Sequence, residues 1–548
     1  MALGLTKRVR NIARFRDIMA VLASSGFDQL VEQLDLDERM IIKALVKTRT
    51  HDKTPYRRLV EALEELGPTF IKLGQILSTR PDVLPEDLIH ELKKLQSHVK
   101  AEPFAEIKKL IEASLEDPID QVFDDLREEP LAAASIAQVH RAKLKDGREV
   151  VLKVLRPGIR DVVANDMDIL YFLAGLAERL PEMRVVQPRG VIREFDRAMT
   201  RELDLSHELA NIRRFRQNFA DVESVSVPEP IEELCTKNVL VLEYLDGVPF
   251  TEYEKKGADR KKIAKRGISL LFKMAFDDGF FHADPHPGNM IALADSRIGI
   301  LDMGQAGRLD RVLRDKVVTL LSALVQDDPT RIAEAILAFG KPQGSLDFES
   351  FKKDVADLYE DELHGKAIKD VSLGNIISGL FRLAGRHRIS IAPDLTLFFK
   401  ALVTLEGVAK EVYPELDVME EAKPYVSRLL LERYNPDRLA ADMAELVQAS
   451  HGLLQALPRR LDRLLGELEA GRVVIRVEEA DPHRSALQRE RVAARAAVGI
   501  SAAGFILSSA ILLTSGWYLF GVLSFLMSLP FALWTLFSAF RPRGRGKR

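Results

Sequence analysis

Two short stretches hold the residue types that phosphate chemistry needs. The first, Phe281-His282-Ala283-Asp284-Pro285-His286-Pro287-Gly288-Asn289, carries the spacing H-x-D-x-x-x-x-N; the second, Ile300-Leu301-Asp302-Met303-Gly304, sets an aspartate eighteen residues past Asp284. In phosphoryl transfer the protein contributes mainly positioning and charge. It needs one Asp that orients or deprotonates the attacking hydroxyl, an Asn that holds a metal, and a second Asp that holds Mg²⁺ against the phosphates. Asp284 fits the first role, and Asn289 and Asp302 are the candidate metal ligands. A cation for the α- and β-phosphates is offered by Lys153 in Val150-Val151-Leu152-Lys153, so Asp284, Asn289 and Lys153 form the candidate catalytic set. Most strand lysines merely face solvent, but this one lies between a candidate nucleotide loop and the metal motifs. Its carboxylate partner is expected on a helix: Glu208 in Ser206-His207-Glu208, with Glu202 and Asp204 as competitors. His282 and His286 lie four apart, yet no H-E-x-x-H and no third ligand accompany them, so they are expected to shape the loop rather than bind a transition metal.

The remaining nucleotide contacts are expected from Ala132-Ala133-Ala134-Ser135-Ile136-Ala137 and from a strand ending Leu242-Glu243-Tyr244-Leu245-Asp246-Gly247. Glu243 and Leu245 of that strand would present backbone groups to an adenine. Alanine resists positive φ, so the Ala132–Ala137 loop cannot fold back over phosphates as freely as a glycine-rich one. A further signal is a missing one. After Asp302-Met303-Gly304 the chain runs straight into Arg308-Leu309-Asp310-Arg311-Val312, with no activation segment and no A-P-E, which removes the usual platform for a protein substrate.

The elements that must position these residues follow from periodicity. Apolar residues at helical spacing in Leu59-Val60-Leu63-Leu66 and Leu88-Ile89-Leu92-Leu95, punctuated by Pro68, Pro81 and Pro85, predict helices over residues 17–115. Strands are predicted around 135–155, turning at Asp146-Gly147, and over 238–244. Helices are expected over 161–220, 255–280 and 310–470, with a lone strand-like run at Val473-Val474-Ile475-Arg476-Val477. The fold class is α+β, a small sheet-bearing lobe followed by a helical one. The domain reading is a helical extension over 1–115, the sheet-bearing lobe over 116–247, the helical lobe over 248–435, a helical linker over 436–495, an apolar hairpin over 496–540 and a basic tail over 541–548.

Residues 496–515 and 517–540 carry no charge, and each run reaches the ~20 residues that a membrane-crossing helix requires. Arg484, Arg489, Arg491 and Arg495 precede the pair and Arg541, Arg543, Arg545, Lys547 and Arg548 follow it, so both ends are expected to face the cytoplasm or its organellar equivalent. Two transmembrane helices are therefore predicted, with Trp517 and Tyr518 at the turn and a kink at Pro530. The first sixteen residues have the pattern of a basic amphipathic helix, which either touches anionic lipid or packs on its own domain. Since no clear import signal opens the chain, a multi-pass protein of a bacterial inner membrane is the expected setting. A net charge of −3 over 548 residues argues against a nucleic-acid partner. With Cys235 as the single cysteine, intramolecular disulfides, Cys-ligated zinc sites and iron–sulfur clusters are excluded.

Taken together, these motifs resemble the UbiB/AarF family of unorthodox protein-kinase-like proteins over nearly the whole chain. The resemblance rests on Lys72-Leu73-Gly74-Gln75 (K-x-G-Q), the alanine-rich loop, Glu202-Leu203-Asp204 (E-x-D) and His282 to Asn289. It implies a two-lobed kinase-like fold in which the N-terminal extension crosses the cleft. Lys72 and Gln75 would reach toward the place of a peptide substrate, with Glu202 and Asp204 supporting the closed arrangement. It also implies a Lys153–Glu208 pair, adenine nucleotide (ATP or ADP) with Mg²⁺ on Asn289 and Asp302, and ATPase activity stimulated by membrane lipid or phenolic quinone precursors. A supporting role in isoprenoid-quinone (ubiquinone) biosynthesis, alongside the enzymes of that route, is the further implication. A homodimer is compatible with this reading, and the phosphate acceptor stays open: water, a lipid or small molecule, or none in a scaffold that ATP only switches. Ala137 departs from the commonest family loop, which often has glycine after Ser-Ile.

Overall fold

Alternation along one strand separates the core from the site. In Glu149–Leu155 the side chains of Val150, Leu152 and Val154 are buried among Ile107, Ile111, Phe123, Val239 and Val241, while Lys153 points to the opposite face. A computed structural model describes residues 2–26, 53–78, 84–95, 100–179, 187–342, 344, 346–363, 372–433, 436, 443, 498, 500–515 and 517–540. The chain divides into two compact units, Met1–Leu439 and Ala440–Arg548.

In the first unit, β1 (Phe123–Leu126), β2 (Ala132–Ala133), β3 (Ala137–Leu144) and β4 (Glu149–Leu155) are followed by β5 (Val225–Ser226) and β6 (Val239–Glu243). The main sheet runs β1-β3-β4-β6, with β2 pairing on β3. Its β3–β4 hairpin turns at Gly147, whose φ of +91° favours a residue without a Cβ. Part of the alanine-rich stretch read as loop is thus strand: Ala132 pairs with Val139 and Ala133 with Gln138, leaving residues 134–136 to turn. Register Lys153↔Leu240 and Lys153↔Val139 fixes the lysine in the middle of the sheet.

Smaller sheets position the catalytic segments. The strands β7 (Val248–Pro249), β9 (Met290–Ala292) and β10 (Ile298–Ile300) join β5 in the order β5-β10-β9-β7, and β8 (Phe280–His282) pairs with β11 (Ala306–Arg308). The pairing Ile300↔Met290 holds Asn289 next to Leu301, whose N–H donates to the Asn289 carbonyl at 2.9 Å. Around them pack helices Arg260–Phe272, Arg311–Val325, Pro329–Phe339, Phe348–Leu363, Leu373–Arg386, Pro393–Val412 and Val418–Arg433. Their apolar faces form one core with Phe276, Phe281, Phe398 and Phe399 near its middle.

Among the described residues the extension carries helices Ala2–Ser24, Pro55–Leu66, Pro68–Leu77, Glu86–Leu92 and Phe104–Leu115. Within its basic start Arg14 and Phe15 pack on the same domain, while Arg16 faces solvent. Phe15, Ile18 and Met19 are buried, and Arg14 donates to Asp166 at 2.7 Å and to the Leu66 carbonyl.

In the second unit the prediction of two transmembrane helices is corrected: among the described residues no helix is long and apolar enough to cross a membrane. Before the turn, helix is described over residues 500–514. After the turn a helix runs over Tyr518–Phe540. The two stretches are joined by hydrogen bonds from Ser509 Oγ to the Gly521 carbonyl and from Ser524 Oγ to the Phe505 carbonyl. The Val473–Val477 run, the flanking arginines from Arg484 to Arg495 and the basic tail 541–548 lie outside the described residues.

Candidate active site

Lys153 is held by two carboxylates. Its Nζ donates to Glu208 Oε1 and Oε2 at 2.9 and 2.7 Å and to Asp302 Oδ2 at 2.9 Å. Glu208 comes from helix Leu205–Asn218, which Asp204 caps by accepting from the Ser206 N–H at 3.0 Å. That cap sets the first turn so that Glu208 projects into the cleft, where it is 5% exposed. The same helix fixes the D-M-G segment: Met303 N–H donates to Glu208 Oε1 at 3.3 Å and Asn211 Nδ2 to the Met303 carbonyl at 2.8 Å. Gly304 leaves room beside Asp302: a Cβ there would sit 3.1 Å from Asp302 Oδ1, the oxygen that accepts from the Gly304 N–H at 2.9 Å. Burial works against the Lys153 charge, but Asp302 and Glu208 outweigh it and hold the ammonium above the ordinary lysine range. Burial likewise opposes ionised Asp302, yet Lys153 and the Gly304 N–H keep it well below the usual carboxylate range. Glu208, the most enclosed of the three, is pushed by burial up to about 7 against the pull of Lys153.

Asp284 follows β8 and is faced by a residue the sequence did not single out. Lys400 Nζ, from helix Pro393–Val412, donates to Asp284 Oδ1 at 3.0 Å, and His286 Nε2 lies 3.7 Å from Oδ2. Burial tends to raise the Asp284 pKa, but Lys400 and His286 together bring it below the ordinary aspartate value. The histidines shape the loop: His282 Nδ1 accepts from the Asp284 N–H and His286 Nδ1 from the Gly288 N–H, both at 3.0 Å. Asn289 Nδ2 donates to the Asp284 carbonyl at 3.1 Å, which ties the candidate metal ligand to the candidate base. Replacing Lys400 by Met removes the cation that lowers Asp284, so a higher pH is then needed to ionise it. The acid limb of the pH–rate profile for phosphate release is expected to move to higher pH; a limb that stays in place would show that Asp284 does not govern it.

At the hinge, Glu243 N–H donates to the Glu229 carbonyl and Tyr244 N–H to the Glu149 carbonyl. Among the described residues Leu245 N–H makes no hydrogen bond. The Glu243 carboxylate is turned away to the Glu229 N–H at 3.1 Å. Across the cleft, Lys72 Nζ reaches Glu202 Oε1 at 2.6 Å, and Gln305 Nε2 donates to the same oxygen at 3.5 Å. Lys72 and Gln75 sit one turn apart on helix Pro68–Leu77, where Gly74 admits the leucine methyls of Leu95, Leu63 and Leu92. Of the E-x-D pair, Glu202 meets Lys72, while the Asp204 carboxylate caps helix Leu205–Asn218.

The donor set suits Mg²⁺ and a nucleotide. Hard oxygen ligands are available from Asp302, whose side chain is 43% exposed, and from the Asn289 amide on the neighbouring chain end. Mg²⁺ supplies charge neutralisation on the phosphates when bound. Among the described residues no cluster of three His, Cys, Asp or Glu side chains forms a separate metal site. Only residues 305–310 separate Gly304 from helix Arg311–Val325, so the cleft has no long segment beside it.

Residues 94–336 match the ABC1 atypical kinase-like domain family, and residues 359–417 match the UbiB helical domain family. Among curated proteins, the chain is 37% identical over 415 residues to "Probable protein kinase UbiB" of Pseudomonas paraeruginosa, covering 74% of this chain and 78% of that relative. It is 36% identical over 417 residues to the protein of the same name from Pseudomonas putida, covering 74% and 77%. Among solved structures, "The complex structure of Rv3197-erythromycin from Mycobacterium tuberculosis" aligns with a TM-score of 0.45 and 20% identity, over 64% of this chain and 90% of that one.

Proposed function

Because the chain belongs to the UbiB family of ABC1 atypical kinase-like proteins, we propose that it is a membrane-associated, ATP-hydrolysing kinase-like enzyme that supports isoprenoid-quinone biosynthesis. It acts on lipid or quinone intermediates or on partner enzymes of that route, with ATP and Mg²⁺ as its nucleotide and metal. The observation that carries this reading is the Lys153 clamp between Glu208 and Asp302, with Asp284 and Asn289 held in one loop beside it. A scaffold that only bound partners has no use for this full set of phosphate-handling groups. Transfer of the phosphate to a lipid or small-molecule hydroxyl is the second reading, favoured by the short 305–310 connection, which leaves no bed for a protein substrate.

Contact with lipid is proposed to come from the apolar hairpin, on the cytoplasmic face of a bacterial inner membrane. Ile500, Leu507, Ile511, Trp517, Leu519 and Phe520 are all more than half exposed, a larger apolar face than a soluble surface ordinarily leaves to water. Vesicles containing anionic lipid are expected to raise phosphate release from Mg²⁺-ATP by the full-length protein several-fold. Equal release with and without vesicles would overturn the membrane coupling, and labelled phosphate appearing on a lipid extract would identify a kinase rather than an ATPase.

A further inference from the structure

A segment of the extension, residues 100–102 ahead of helix Phe104–Leu115, is fastened to the nucleotide loop by one buried guanidinium. Arg156 lies three residues after Lys153 and is 6% exposed. Its Nε donates to the Ala134 carbonyl at 3.1 Å, its Nη1 to Glu102 Oε1 at 2.5 Å and its Nη2 to the Lys100 carbonyl at 2.5 Å. Its own N–H donates to the Ile136 carbonyl at 2.8 Å, so two carbonyls of the 134–136 turn are held from one residue. The 100–102 stretch is held a second time. Glu102 N–H donates to Gln138 Oε1 at 2.9 Å, and Gln138 Nε2 meets His140 Nε2 at 3.0 Å. His140 Nδ1 faces the Arg127 carbonyl at 2.9 Å, so its proton sits on Nδ1 and Nε2 accepts, which fixes the Gln138 amide with its oxygen toward Glu102. Gln138 and His140 are fully buried. A charged residue buried at the end of a strand, with one arm of its fork on the 134–136 turn and two on residues 100–102, is ill-suited to mere solubility and well suited to fixing relative positions.

We propose that Arg156 is a positioning residue that couples the N-terminal extension to nucleotide affinity, by setting the Ala134–Ile136 turn against residues 100–102. This inference rests on the reading of the cleft as a nucleotide site. An extension that shifts carries residues 100–102 with it, and Arg156 passes that shift to the turn. Lysine keeps the charge but cannot present a planar fork to three acceptors. Arg156→Lys is therefore expected to raise the dissociation constant for Mg²⁺-ADP about tenfold, with maximal turnover within about twofold. Glu102→Gln leaves both carbonyl bonds of the fork in place and is expected to shift that constant by less than about threefold.

The measurement is calorimetric titration of Mg²⁺-ADP into full-length wild type, Arg156→Lys and Glu102→Gln, with hydrogen exchange of the wild type followed with and without nucleotide. In the wild type, nucleotide is expected to slow exchange at residues 100–102 as well as at 132–137, a coupling that a purely structural arginine would not produce. Protection confined to 132–137, or an Arg156→Lys constant within twofold of wild type, would overturn the proposal while leaving the nucleotide site standing. So would an effect of Glu102→Gln as large as that of Arg156→Lys. No nucleotide binding by the wild type would overturn the site itself and this coupling with it.

Discussion

Lys153→Met is expected to reduce phosphate release by at least about 100-fold, the cost typical of deleting one pre-placed charge partner from a transition-state site. The loss has two parts. The ammonium is the cation placed to meet the α- and β-phosphates, and methionine offers no charge in its place. Its removal also leaves Glu208 and Asp302 without the cation they share, although Nζ lies within 2.9 Å of both. Glu208, already pushed by burial up to about 7, then rises further and is protonated at neutral pH, so it can no longer serve as an ionised anchor for a cation. Because methionine keeps most of the lysine stem, the strand is expected to stay folded. Thermal unfolding followed alongside phosphate release separates lost chemistry from lost structure.

Phe398→Ala is expected to destabilise the first unit by about 3–5 kcal/mol, read as a fall in denaturant midpoint. Phe398 is fully buried, and its ring lies 6.0 Å from that of Phe276, 5.6 Å from Phe281 and 5.2 Å from Phe399. Phe281 belongs to the strand that delivers the catalytic loop, and it is gripped from the other side at Gly307, where a Cβ would come within 2.2 Å of the ring. The cavity left by alanine therefore opens between the Lys400 helix and the strand before Asp284. A loss of unfolding free energy smaller than about 1 kcal/mol would mean that the helix does not depend on this contact for its place.

What the sequence revealed was local. The β3–β4 hairpin was legible from its alternation and from Asp146-Gly147, and Asp284, Asn289 and Asp302 from contiguous spacing, because each depends on neighbours along the chain. Lys400 was not legible: it meets Asp284 from 116 residues away, and a lysine on an amphipathic helix reads as solvent-facing. Arg156 and Asn211 were hidden for the same reason, since the acceptors of the first lie 22, 54 and 56 residues away and that of the second 92. Asp204 was read through a motif and took the more local role of helix cap, as short polar residues before a helix commonly do. The alanine-rich stretch was read as loop because it stands where a glycine-rich loop is expected; pairing of Ala132 with Val139 and Ala133 with Gln138 makes its start a strand. The apolar runs after residue 496 were legible as helix, described over 500–514 and Tyr518–Phe540, though among the described residues no helix is long and apolar enough to cross a membrane.

The most direct test is phosphate release from Mg²⁺-ATP by the full-length wild type and by Lys153→Met, measured side by side on the same anionic vesicles. Release by the wild type that rises on the vesicles and is lost in the variant is the predicted result. Equal release by the two proteins would contradict the assignment of this cleft as the site of ATP chemistry.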